Sequence, residues 1–119
     1  HGRGMYLVQD VVVNHVGDWF GYADGAPPAD PAQGVRMVPD GRGRTAPSQA
    51  PFHLNDPRRA RDRAAGIYHW TPDIRDYADP SQQFDWQMSG LDDLDTENPA
   101  VRRALRASYG HWIREVGVD

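Results

Sequence analysis

The stretch QDVVVNHVGD, residues 9–18, joins an apolar run to an abrupt polar end. Residues 5–13 are almost continuously apolar and do not alternate, yet Asp10 lies among them. This pattern predicts a strand that is covered on both faces, as in a parallel sheet. Ligands of α/β folds bind at the carboxyl ends of such strands, so Asp10, Asn14 and His15 are candidate site residues.

Each of these three residues also has a structural interpretation. A buried Asp10 needs a partner, which is either an arginine, a cation or a set of hydrogen bonds. Asn14 offers a neutral carbonyl oxygen that suits a hard cation such as calcium, but asparagine also forms turns at strand ends. His15 is able to donate a hydrogen bond to a sugar hydroxyl, and a single histidine is equally compatible with a structural role.

Residues 98–116 have the pattern of an amphipathic helix. Asn98 is a good N-cap, Pro99 suits the first helical position, and Gly117 supplies a stop. One apolar stripe runs along this segment at steps of three and four residues: Val101, Leu105, Tyr109, Trp112, Ile113 and Val116. Because Val118 and Asp119 then open another apolar run, the order is strand, long connection, helix and strand. This order predicts a βαβ unit in an α/β fold.

The connection between strand and helix is unusually long, since it occupies residues 16–97. It contains nine of the ten prolines and eight of the twelve glycines. Loops longer than roughly 15 residues are usually functional or disordered. We expect order here, because eight aromatic residues could build a small core: Trp19, Phe20, Phe52, Tyr68, Trp70, Tyr77, Phe84 and Trp86. Residues 58–65 are predicted to form a short polar helix, and residues 39–48 an exposed loop.

The motif GLDDLDTENP, residues 90–99, crowds four carboxylates together: Asp92, Asp93, Asp95 and Glu97. Such crowding is costly unless the carboxylates are solvated or hold a cation. An EF-hand loop is excluded because the glycine required at its sixth position is missing. The open alternatives are a cation site and a solvated acidic entry to the helix, where the helix dipole favours negative charge.

Composition excludes several classes of protein. The net charge of −4 and the lack of a basic patch argue against nucleic-acid binding. The absence of cysteine excludes a disulfide scaffold, and no apolar run of about 18 residues is present to span a membrane. The sequence does not indicate where in or outside the cell the protein acts, nor its oligomeric state. Since the chain opens with HGRGMYL and closes within an apolar run, we expect both ends to be cut within a longer protein.

These stretches together resemble the α-amylase family of glycoside hydrolases, family 13. HGRGMYLVQDVVVNH is similar to the family's first conserved region, on the third barrel strand. GLDDLDTENPAVRRAL is similar to a conserved region late in the family's protruding domain B, and IREVGVD to the approach to strand four. The resemblance implies a partial (β/α)8 TIM barrel with a long, loop-rich inserted domain B. Residues 1–15 would be strand three and its edge, 16–97 domain B, and 98–119 helix three and the start of strand four.

The resemblance also implies roles for individual residues. The family residue that matches Asn14 ligates a structural calcium, and the one that matches Asp95 is another ligand of that ion. The match to His15 touches the sugar beside the scissile bond, and the match to Asp10 supports the floor of the active site. Asp119 matches the aspartate that opens the strand-four motif, so the catalytic carboxylates are expected outside this chain.

The implied function is hydrolysis of α-1,4-linked glucans by a retaining mechanism, with an α-glucan or maltooligosaccharide as substrate. The residues after Asn14-His15 are Val-Gly-Asp, where the α-glucosidase branch has Thr-Ser-Asp, which favours an amylase or cyclomaltodextrinase. An α-glucosidase and a transglycosylase remain alternatives within the family. Outside it, the alternative is a noncatalytic carbohydrate- or calcium-binding module built on the aromatic loop. On either hypothesis we expect neither nucleic acid nor a membrane as a partner, and the isolated chain is expected to be inactive.

Overall fold

The computed structural model describes residues 2–23 and 25–119, which contain both helices and strands. Two short antiparallel strands, β1 (Phe20–Tyr22) and β2 (Val35–Met37), pair Phe20 with Met37 and Tyr22 with Val35. Three α-helices follow, α1 (Ala60–Ala65), α2 (Pro80–Asp85) and α3 (Pro99–His111), and α3 continues into a π-helical turn, Trp112–Val116. Within the described ranges, no helix combines the length and apolarity required to cross a bilayer.

Helix α3 begins and ends as its sequence predicts. The Asn98 side-chain oxygen accepts a hydrogen bond from the Ala100 amide at 2.9 Å, and Pro99 occupies the first turn. This cap satisfies one of the amide groups that every helix start leaves without an intrahelical partner. Gly117 closes the π-helical turn with a left-handed φ of 79°, a conformation that glycine adopts without a steric penalty. The predicted helix over 98–116 is therefore confirmed, although its last turn is wider than an α-helix.

The strand predicted over residues 5–13 is not formed. No strand is assigned there, and Met5, Tyr6 and Val8 are 65%, 83% and 81% exposed. A strand requires backbone pairing, and in the described chain this segment has one such bond, from the Asp119 amide to the Leu7 carbonyl at 2.8 Å. Helix α3 adds a contact through the Tyr109 hydroxyl, which donates to the Val12 carbonyl at 2.7 Å. Residues 5–13, α3 and the chain after it therefore follow in the predicted order. The described residues do not form the sheet that would bury residues 5–13.

The long connection has a core of its own, as predicted from its aromatic residues. The core contains residues from the connection and from α3: Phe20, Phe52, Ile67, Tyr68, Leu94 and Val101. Phe20 and Tyr68 meet edge to face with ring centroids 5.6 Å apart, and the Tyr68 hydroxyl donates to the Phe52 carbonyl at 2.7 Å. Tyr77 and Phe84 are exceptions, since they are 57% and 76% exposed. The connection is thus ordered by apolar packing, but with fewer aromatic residues than expected.

The short helix predicted over 58–65 is also present, as α1. It ends at Gly66, whose φ of 56° is left-handed. Asp62 of α1 is fully buried and accepts a hydrogen bond from the Asp56 amide at 3.1 Å. The Asn98 side chain donates to the carbonyls of Ala65 and Gly66 at 2.7 and 2.6 Å. The end of α1 is therefore fastened to the start of α3.

Candidate functional site

Three chain segments meet where residues 5–13 end, and they form a small antiparallel ladder. Residues 92–95 lie in the middle, with residues 14–16 on one side and 67–69 on the other. On the first side, the Leu94 amide donates to Asn14 at 2.8 Å and the Val16 amide to Asp92 at 3.0 Å. On the other side, the Asp95 amide donates to Ile67 at 3.0 Å. The ladder joins the two sequence motifs that were singled out as candidate sites.

This ladder brings Asn14 and Asp95 close along the backbone, although 81 positions separate them in sequence. Asn14 bonds to Leu94, the neighbour of Asp95. Asn14 is exposed and Asp95 is partly exposed, so both offer oxygen atoms to an incoming ion. The Oδ1 atom of Asp95 also accepts the Asn98 amide at 3.0 Å. Both residues carry donors of the hard type that calcium prefers, so they fit part of a calcium site.

His15 lies opposite Asp93 in the ladder, at an isolated antiparallel bridge. The residue is partly buried, and its Nδ1 atom is buried without a hydrogen-bond partner. A buried polar atom without a partner costs free energy, which makes it a place where a ligand or water gains affinity. The structure therefore puts His15 at the end of the segment and opposite a buried carboxylate, and its contact with substrate stays a prediction.

Asp93 was named among the four carboxylates of the acidic motif, but no individual role was assigned to it from the sequence. It is 5% exposed, and its Oδ2 atom lies 2.7 Å from Nδ1 of His69. The hydrogen bond to Asp93 raises the pKa of His69 above its usual value. Burial raises the pKa of Asp93, although the bond to His69 opposes that change. His69 was likewise not assigned, because only the pairing of segments 24 residues apart brings it to the carboxylates.

Asp92 is buried completely, so the solvated interpretation of the acidic motif is wrong for Asp92 and for Asp93. The Asp92 side chain accepts a hydrogen bond from the Trp19 backbone amide at 3.0 Å. It accepts a second one from the side-chain nitrogen of Gln87 at 3.3 Å. Desolvation raises the pKa of Asp92 to about 8, and the backbone hydrogen bonds oppose this rise. Of the four acidic residues, only Glu97 is exposed as that interpretation required.

Asp10 differs from its expected environment. It is exposed, so it does not require the buried partner that a sheet interior would demand. The structure brings His15 and Asn14 to the ladder with Asp93 and Asp95, but it leaves Asp10 outside this cluster. The support role that the resemblance implies for Asp10 stays a prediction, since the described residues do not include strands that would cover this segment.

Comparisons with known proteins identify the family to which the chain belongs. The family model described as "Alpha amylase, catalytic domain" matches residues 1–119. An alpha-amylase of Streptomyces lividans is 29% identical over 149 aligned positions, and a beta/alpha-amylase of Paenibacillus polymyxa is 28% identical over 124. The whole chain is covered in both alignments, but it spans only 15% and 8% of the lengths of these relatives. No solved structure gives a significant match. Since the family model covers every residue, the chain belongs to the alpha-amylase catalytic-domain family, whose fold is a TIM barrel.

Proposed function

We propose that this chain is part of a glycoside hydrolase that acts on α-1,4-linked glucans by a retaining mechanism. The family match over residues 1–119 carries the proposal, and the named relatives are amylases. A retaining enzyme needs a carboxylate nucleophile and a carboxylic acid about 5–5.5 Å apart. We assign both to parts of the protein outside these 119 residues, so the chain contributes substrate contacts and structural support.

In this proposal residues 16–97 form domain B, which closes over one side of the substrate cleft. The segment is ordered by its own core and pairs with residues 14–16 through the ladder. Closing and ordering so long an excursion costs conformational entropy. The hydrogen bonds between 14–16 and 92–95 offset part of that cost, because they fix the exit of the loop beside its entry.

His15 is the proposed substrate contact. His15 is partly buried at the end of the segment, opposite Asp93, and its buried Nδ1 atom has no hydrogen-bond partner among the described residues. In this proposal a ring N–H group of His15 donates a hydrogen bond to a sugar hydroxyl. His15 is not assigned as the catalytic acid, since a retaining glycosidase uses carboxyl groups for that role.

A structural calcium is proposed at the ladder, with Asn14 and Asp95 as two of its ligands. The amide and carboxylate oxygens of these residues are the donors that a hard cation prefers, and they lie on hydrogen-bonded neighbouring segments. When bound, the ion would link the first residues of the loop to the last. Its contribution would be to stability of the fold and not to bond cleavage.

The substrate assignment is tested by His15→Ala in the intact protein, with His111→Ala as the matched control. His111 is exposed on α3 and lies away from the ladder. Loss of one hydrogen bond to the sugar should lower kcat/KM on maltooligosaccharides by roughly tenfold or more. The melting temperature should stay close to that of the parent. Unchanged kinetics in His15→Ala, or an equal loss in the control, would return His15 to a structural role.

A further inference from the structure

We propose that the arginines of residues 40–45 and 56–63 form a docking surface for phosphate groups carried on a glucan chain. These two ranges contain six arginines and three aspartates, a net charge of +3, whereas the whole chain carries −4. The Asn55 side chain donates to the Thr45 carbonyl at 2.9 Å, so the first range lies beside the second. We call the two ranges together the arginine surface. That its ligand is a glucan rests on the proposed function.

The sequence alone does not indicate this surface as a basic patch, because aspartates are interspersed among its arginines. In the structure Asp56 and Asp62 are buried, at 6% and 0% exposed. The side chains of Arg59 and Arg61, in contrast, are 63% and 69% exposed. The Arg58 guanidinium also donates two hydrogen bonds to the Asp56 carboxylate, at 2.8 and 2.9 Å. An incoming ligand therefore meets arginines and not carboxylates.

Three of these arginines keep most of their donor groups free for a ligand. Arg59 and Arg61 approach carboxylates through Nε, at 3.6 and 3.4 Å, and their terminal nitrogens have no hydrogen bond to a described residue. Arg42 is exposed, and none of the ion pairs among the described residues involves it. A guanidinium group presents a planar fork of N–H donors that matches a phosphate group. These three side chains are the phosphate ligands of the proposal.

The loop that carries Arg42 is ordered by Asp40. The Oδ1 atom of Asp40 accepts hydrogen bonds from the amides of Arg42 and Arg44, at 2.8 and 2.9 Å. Its Oδ2 atom accepts one from Nε of Arg44 at 2.7 Å. Two backbone bonds close the same turn, from the Asp40 amide to Arg44 at 2.8 Å and from the Gly43 amide to Asp40 at 2.9 Å. A loop that is ordered before binding loses less conformational entropy on binding.

The composition of the arginine surface favours phosphate groups on a neutral chain over other ligands. Its residues include no aromatic side chain on which an unsubstituted sugar ring or a nucleic-acid base could stack. A nucleic acid also carries a charge at every phosphate. The rest of the chain has seven arginines and fourteen acidic residues, a net charge of −7, which would repel such a polymer. Separate phosphate groups on a neutral glucan avoid that repulsion.

The test is adsorption of the intact protein, in the cold, to phosphorylated starch granules and to the same granules after phosphatase treatment. At about 0.1 M salt the parent should bind the phosphorylated granules about tenfold more tightly than the treated ones. This preference should vanish at about 1 M salt, where charges are screened within about 3 Å. The triple variant Arg42→Gln/Arg59→Gln/Arg61→Gln should bind both kinds of granule equally.

Two further variants make the result specific. Arg36→Gln/Arg103→Gln/Arg114→Gln removes the same charge from exposed positions outside the arginine surface, and it should keep the preference of the parent. Arg42→Gln alone should weaken binding to the phosphorylated granules about threefold. This single variant stays informative if the triple variant fails to fold, because the Arg42 side chain has no ion pair among the described residues.

Equal binding of the parent to both kinds of granule, or a preference retained by the triple variant, would overturn the proposal. Displacement of the protein from phosphorylated granules by duplex DNA at the same phosphate concentration would also overturn it, and would indicate a nucleic-acid surface. Adsorption does not require bond cleavage. The proposed function is measured separately, as cleavage of unphosphorylated maltooligosaccharides, which the triple variant should perform at the parent's rate. Failure of the proposed function and failure of the arginine surface are therefore distinguishable.

Discussion

Asp92 has the most strongly perturbed environment in the acidic motif. Its carboxyl group is buried against the Trp19 amide, and the nearby charges of Asp18 and Asp73 add to the desolvation that raises its pKa. Its pKa of about 8 exceeds the value of about 3.9 expected for an unfolded aspartate. The folded state therefore binds this proton more tightly than the unfolded state does.

This difference predicts how stability changes with pH. The contribution of Asp92 to the free energy of unfolding is fully present below about pH 4. It is lost as pH rises to about 8, because the unfolded state releases this proton first. Each pKa unit of difference corresponds to about 1.4 kcal/mol. Asp92→Asn, which cannot ionise, should gain stability relative to the parent as pH rises from about 4 to 8, so the difference should be largest at about pH 8–9 and smallest near pH 4. The measurement is urea denaturation of the intact protein across this range, with the exposed Glu115→Gln as control. Parallel stability curves for parent and Asp92→Asn would contradict the prediction.

At this scale the sequence predicted Asn14, His15 and Asp95 as site residues, but it assigned no individual role to Asp93 or His69. Asn14, His15 and Asp95 stand beside recognisable strand and helix signals, so their positions were predictable. Asp93 and His69 were missed because their meeting depends on the register of the ladder, in which the His69 amide bonds to the Asp93 carbonyl. Burial of Asp93 could not be read from a motif in which neighbouring carboxylates look alike.

At the scale of elements, local signals predicted α1 and α3, whereas α2 was not predicted. Asn98 caps the start of α3, and Gly117 ends the π-helical turn that follows it. Each residue acts on backbone groups only a few positions away. The strand over 5–13 was predicted from an equally clear pattern but did not form. A helix satisfies its hydrogen bonds internally, whereas a strand needs partners from elsewhere in the fold.

Asn98 is expected to be the most sensitive residue of α3, because it caps this helix and fastens α1 to it. Asn98→Ala removes the bond to Ala100 and the two bonds to Ala65 and Gly66, and should destabilise the intact protein by about 1–3 kcal/mol. Asn98→Asp keeps the acceptor for Ala100 but loses both donated bonds, so its loss should be intermediate. Urea denaturation measures both variants. Losses below about 0.5 kcal/mol in Asn98→Ala would show that the cap is not needed.

At the scale of the whole molecule, the chain is elongated and exposes much apolar surface. Its radius of gyration is 16.2 Å, whereas a compact domain of this length has roughly 13–14 Å. Two apolar surfaces are exposed, along residues 5–13 and along the π-helical turn that follows α3, where Trp112, Ile113 and Val116 are 47%, 57% and 48% exposed. Large exposed apolar surfaces of this kind mark contacts with other parts of a protein. The proposed barrel would supply those contacts.

The most direct test compares the isolated 119-residue chain with the intact protein on starch and maltooligosaccharides. We predict that the intact protein cleaves α-1,4 bonds and that NMR of the fresh products shows the retained α-anomer. The isolated chain should hydrolyse nothing, and its open apolar surfaces should make it aggregate or unfold without a sharp transition. Sustained hydrolysis by the isolated chain would contradict the placement of the catalytic carboxylates outside it. Glucan binding without hydrolysis by the intact protein would contradict the proposed enzyme and support a binding module.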